Sequence, residues 1–113
     1  MSSDEGFVTA VVDSMEHAGA ITWRKMFGEY AIYSDGKVVA LVCDNQLFVR
    51  PTEGGRAFLG EVTAAPPYPG AKDHFLIDEL GDRAWLGELI RITAGELRAA
   101  PPKRKGRSQK KGR

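Results

Sequence analysis

Two tight turns set among apolar segments constrain this chain more than any other feature. Asp35-Gly36 and Asp44-Asn45 interrupt residues 29–50, a stretch otherwise rich in Val, Ile, Leu and aromatic side chains. Such pairs accept the left-handed backbone of two-residue hairpin loops, whose twist matches that of the flanking strands. Antiparallel strands are therefore expected over 29–34, 37–43 and 46–50, with Ser34 opposite Lys37 and Cys43 opposite Gln46. A strand over 21–27 precedes them, and Gly28 permits a bend or bulge. Unbroken alternation outward from the turns puts Tyr30, Ile32, Val39, Leu41 and Phe48 on one face. It puts Ala31, Tyr33, Val38, Ala40, Val42, Leu47 and Val49 on the other. Both faces are then apolar, and each needs a cover, from helices or from a partner chain.

The flanking segments change period from 2 to 3.6. Phe7, Val8, Val11, Val12, Met15 and Ala18 form one stripe of a helix over 4–18, capped by Ser3 or Asp4 and stopped by Gly19. Thr52 caps a short helix to residue 62 that Gly54 and Gly55 weaken. Pro66, Pro67 and Pro69 remove backbone donors, so 63–72 reads as an extended loop, followed by a short strand over 74–78. Asp82 caps a last helix over 83–99, with Trp85, Leu86, Leu89, Ile90, Thr93 and Leu97 on its inner stripe. The expected fold class is α+β, a mostly antiparallel sheet with three helices in the order α-β-β-β-β-α-β-α. Phe7, Trp23, Phe27, Phe48, Phe75 and Trp85 are the expected core aromatics.

The 113 residues suit one domain, expected over 1–99. Pro101-Pro102 ends the last helix, and 100–113 reads as a disordered basic tail. The net charge of +1 conceals this division. Lys103, Arg104, Lys105, Arg107, Lys110, Lys111 and Arg113 hold seven of the 16 basic charges, leaving the first 102 residues with nine bases against 15 acids, net −6. Those seven cations are the candidate nucleic-acid contacts, weak and without sequence preference; pairing with the acidic body is the competing use.

Cys43 is the single cysteine, so neither an internal disulfide framework nor a multi-cysteine metal site is expected. The longest apolar run, 38–43, spans six residues where a membrane span needs about 20. With an acidic start and no secretory signal, a cytoplasmic location is expected. No glycine pattern matches a phosphate loop or dinucleotide fingerprint, and no cofactor is expected. Cys43 with His74 is the nearest approach to a nucleophile and base, but a third orienting group is not identifiable. His17 suits a helix C-terminus, and adjacent Asp78 and Glu79 suit a turn before Asp82. Arg24 and Lys25 fall on opposite faces of their strand, as anion contacts or as partners of Glu29 or Asp13. The Pro66-Pro67-Tyr68-Pro69 segment reads as a pocket wall or docking loop, or as a stiff connection whose tyrosine packs on the sheet.

Several of these segments together carry a resemblance: Arg24-Lys-Met-Phe-Gly-Glu-Tyr30, residues 35–44, Gln46-Leu-Phe-Val-Arg-Pro-Thr52, residues 65–72, and Phe75-Leu-Ile-Asp78. In this order, over residues 7–98, the chain resembles the N-terminal domain of the TfoX (Sxy) family, bacterial regulators of natural competence. The resemblance implies a small α+β unit of the secretion-chaperone type with no established catalytic residues. Full-length regulators of that family carry a second, helical domain, where this sequence has a basic segment. The residues that the family motifs single out are Arg24, Lys25, Met26, Phe27, Gly28, Pro66, Pro67, Tyr68 and Pro69. The expected function is a non-catalytic regulatory or interaction domain, in transcription or competence-type regulation. It is expected to be a homodimer, with a protein partner as a further expectation. A nucleic-acid-associated protein acting through the tail is the alternative, and a small enzyme of unknown class the second.

Overall fold

The computed structural model describes residues 3–26 and 29–99. The expected basic tail, Phe27 and Gly28 lie outside the described residues. Helix α1 (Glu5–Met15) continues into a 3-10 turn (Glu16–Ala18). Strands β1 (Ile21–Met26), β2 (Glu29–Ser34), β3 (Lys37–Cys43) and β4 (Gln46–Val49) follow as a meander. Helix α2 (Glu53–Leu59), strands β5 (Thr63–Ala65) and β6 (His74–Ile77), and helix α3 (Arg83–Ala99) complete the fold. The sheet is antiparallel throughout, in the order β1-β2-β3-β4-β6-β5. This is the expected α+β fold with its three helices.

Both turns take the left-handed backbone that their residues favour, with φ of 52° and 84° at Asp35 and Gly36 and 56° and 57° at Asp44 and Asn45. Ser34 faces Lys37 and Cys43 faces Gln46, as the turn lengths require. Between them the alternation breaks. Ile32 pairs with Ala40 while Tyr33 pairs with Val38, so Val39 is an extra residue, a β-bulge. Its carbonyl accepts from Arg50 N at 2.9 Å. The bulge overturns the face assignment expected from unbroken alternation. Tyr30, Ile32, Val39, Ala40, Val42, Leu47 and Val49 share the core with Phe75 and Ile77. Ala31, Leu41 and Phe48, aligned across β2, β3 and β4, lie on the opposite face.

The helices cover the core face. Val8, Val11, Val12 and Met15 of α1 and Leu86, Leu89 and Ile90 of α3 fill it. Asp82 caps α3 by accepting from Trp85 N at 3.0 Å, and Thr52 caps α2 by accepting from Gly55 N at 2.9 Å. Gly54 and Gly55 have a packing reason: a Cβ at 55 would lie 2.8 Å from Thr52 Oγ1 and 3.4 Å from the Phe75 ring. A Cβ at 54 would meet the Glu96 carboxylate and Ile92 of α3. Asp4 begins α1 without a side-chain cap, and Ser3 bonds elsewhere, so neither caps as expected. Among the expected core aromatics, Phe75 is central and Phe7, Trp23 and Trp85 pack at its margin. Phe48 is buried on the opposite face, outside that cluster.

The segment 63–72 is not wholly a loop, because Thr63–Ala65 pairs with β6 before the prolines begin. Helix α2 ends at Leu59, short of the expected residue 62, and β6 ends before Asp78. Among the described residues no helix is long and apolar enough to cross a membrane.

Candidate functional site

The sheet face opposite the helices carries Ala31, Leu41 and Phe48 in one row across the middle strands. Beside them the segment between β5 and β6 folds over, burying Pro67 and leaving Tyr68 55% exposed. Between sheet and segment lies a recess of about 690 Å³. Met26, Ala31, Leu41, Pro67, Tyr68 and Pro69 supply its apolar wall, and Glu29, Cys43 and Asp44 its polar end. Met26 is 41% exposed at the rim.

The polar end is tied together by hydrogen bonds from three parts of the chain. Ser3 Oγ donates to Glu29 Oε1 at 2.6 Å, and Asp44 N donates to Glu29 Oε2 at 3.0 Å. Ser3 Oγ accepts from Asn45 N at 2.9 Å, and Asn45 Oδ1 accepts from Asp4 N at 2.8 Å. The start of α1 and the β3–β4 turn therefore hold the Glu29 carboxylate from both sides. Burial first, then the Glu29 and Asp44 carboxylates, push the Cys43 thiol up to about 11 from an ordinary 9.0. At neutral pH it is a protonated thiol and a poor nucleophile.

The expected site residues separate into groups. Met26, Pro67, Tyr68 and Pro69, about 40 residues apart in sequence, come together at the recess. Pro66 is exposed beside them. Arg24 sits with its guanidinium 5.8 Å from the Tyr33 ring centre, and Lys25 lies across from Tyr30. Neither pairs with Glu29 or Asp13 as considered from sequence: Glu29 is engaged by Ser3 and Asp44, and Asp13 pairs with Arg83 at 3.2 Å. Phe27, Gly28, Lys103, Arg104, Lys105, Arg107, Lys110, Lys111 and Arg113 lie outside the described residues.

Cys43 and His74 are not brought together. Cys43 faces Gln46 at one end of β4, while His74 precedes the Phe75–Val49 pair at the other, its Nδ1 2.9 Å from Lys72 O. His17 packs its ring against Gly87 of α3. Asp78 and Glu79 are exposed. No group of three metal-ligating side chains occurs among the described residues. Sequence reasoning missed Glu29, Asp44, Ala31 and Leu41 as neighbours of one recess. Glu29 and Asp44 both sit inside motif segments, but only the bulge aligns Leu41 with Ala31.

The family model for the TfoX N-terminal domain matches residues 13–91, from the last turns of α1 to the middle of α3. An uncharacterised 12.7 kDa protein from the trpE 5′ region of Spirochaeta aurantia is 38% identical over 105 residues. That similarity covers 92% of this chain and 91% of the relative.

Proposed function

The chain belongs to the TfoX N-terminal domain family, and on that premise we propose that it is a non-catalytic regulatory or interaction domain of the cytoplasm, serving transcription or competence-type control. The observation that carries this reading is the convergence of two motif segments, Met26 and Pro67–Pro69, on an apolar recess of the sheet face opposite the described helices. Reaction sites gather a nucleophile and a base within hydrogen-bond reach. Here the reactive side chain nearest the convergence is Cys43, held as a neutral thiol. Exposed apolar groups at the rim, Met26 and Tyr68, suit recognition better than proton transfer.

The test is recovery of the tagged full-length protein and of Tyr68→Ser from its native cell, with and without nuclease. A partner recovered in constant proportion, resistant to nuclease and diminished by Tyr68→Ser, is the expected result. A steady-state turnover abolished by Cys43→Ala, with the fold intact, overturns the reading. A second reading, nucleic-acid association, rests on the seven cations of residues 103–113 and predicts that recovery depends on nucleic acid throughout.

A further inference from the structure

The recess is large for a surface dimple. Its volume of about 690 Å³ lies within the range of roughly 300–1,000 Å³ typical of small-molecule sites. Its polarity is one-sided: the walls are Met26, Ala31, Leu41, Pro67 and Pro69, and the charged lining residues described are the acids Glu29 and Asp44. Neither acid forms an ion pair with a described residue. We propose that this recess binds a small organic cation, an arylalkyl ammonium, with its apolar body between Leu41 and the Pro67–Pro69 segment and its ammonium on Glu29 and Asp44.

Preorganisation favours such a ligand. Hydrogen bonds from Ser3 Oγ and Asp44 N fix the Glu29 carboxylate while occupying two of its roughly four acceptor positions. An ammonium reaching the remaining lone pairs meets an acceptor that is already oriented. Burial first, and then these two carboxylates, raise the affinity of Cys43 for its proton, so both acids act on the same end of the recess. Tyr68, lining the recess between Pro67 and Pro69, adds an aromatic surface for the ligand's apolar body. An anionic ligand would meet two carboxylates. The chain's own segment 103–113 brings cations but no apolar residue to fill the walls.

The assignment rests on reading the recess as a binding surface. Full-length protein is titrated with phenethylammonium, its neutral analogue 2-phenylethanol and the carboxylate 3-phenylpropionate, while alkylation of Cys43 by iodoacetamide at pH 9 is followed. Phenethylammonium is expected to bind about tenfold tighter than the alcohol, with the carboxylate weakest, and to slow alkylation saturably. Glu29→Gln and Asp44→Asn should each erode the preference for the cation. Asp44→Asn is the variant that keeps the turn, since Asn tolerates the left-handed backbone of that position. Equal affinity for the three probes, or binding without protection of Cys43, overturns the assignment. So does protection that rises with protein concentration and is indifferent to probe, which would make the recess a seat for a second copy. Chemical turnover of a probe would defeat the non-catalytic reading, whereas failure to bind defeats the ligand assignment alone.

Discussion

Cys43 keeps its proton because ionising it would place a charge in a buried site beside two carboxylates. In the unfolded chain the thiol titrates near 9.0, and in the folded protein near 11. Over that interval the unfolded state has released a proton that the folded state retains, so stability is intact below pH 9 and falls as pH rises towards 11. Urea denaturation at pH 8 and pH 10.5 should show a loss in the wild type that is smaller in Cys43→Ala. At pH 8 the folded protein should present about a hundredth of the thiolate of the urea-unfolded chain and alkylate correspondingly slowly. Gly55 illustrates a second residue-scale constraint. Gly55→Ala gains helix propensity of about 1 kcal/mol, but its Cβ displaces the Thr52 cap and presses on Phe75. A net destabilisation of about 1–2 kcal/mol is expected in chemical denaturation. The caps at Thr52 and Asp82 were legible because a capping oxygen is a local matter. Ser3 and Glu29 were not, since each bonds across the fold.

Among the elements, the meander is the most legible part, because Asp-Gly and Asp-Asn pairs restrict their own backbone. What the turns do not encode is the bulge between them. Val39 differs in no visible way from Val38, and the choice of which residue is extra falls to packing: placing Val39 and Ala40 together on the core side lets Tyr30 and Ile32 share the helix-covered face with Val42, Leu47 and Val49. Strand β5 escaped for another reason. Three small or polar residues have no pattern of their own, and they pair because the outer edge of β6 is available. The β3–β4 turn does more than reverse the chain, since Asn45 also ties down the start of α1. Asn45→Ala loses the bond to Asp4 N and forces a Cβ-bearing residue without Asn's local tolerance into φ near 57°. The expected cost is about 1–2 kcal/mol, read from the midpoint of denaturation at unchanged slope.

At the scale of the molecule, the described helices pack on one sheet face, and β1 is an outer strand of the sheet. Self-association through β1 is the arrangement we expect. A two-fold axis at Trp23 would set Arg24 opposite Thr22 and Lys25 opposite Ile21, keeping like charges apart while leaving the recess open. Sedimentation at micromolar concentration should give twice the chain mass, and a clean monomer would rule the arrangement out. The seven cations of residues 103–113 carry an independent expectation. If all engage duplex DNA, log affinity should fall with log salt at a slope of about −6, and no sequence preference should appear because no aromatic residue is among them. Gel shifts at two salt concentrations measure it, and no binding at low salt would leave those charges to the acidic body.

The two helices that close the core come from opposite ends of the described chain: α1 meets α3 through Asp13 and Arg83, 70 residues apart. Synthesis from the N-terminus therefore completes the meander well before Leu86, Leu89 and Ile90 exist to cover it. At about 5–20 residues per second, a nascent chain carries that apolar sheet face half-clothed for some seconds. Ribosomes that stall between α2 and α3 would release a fragment with paired strands and a sticky surface, the kind of species that chaperones and proteases recognise.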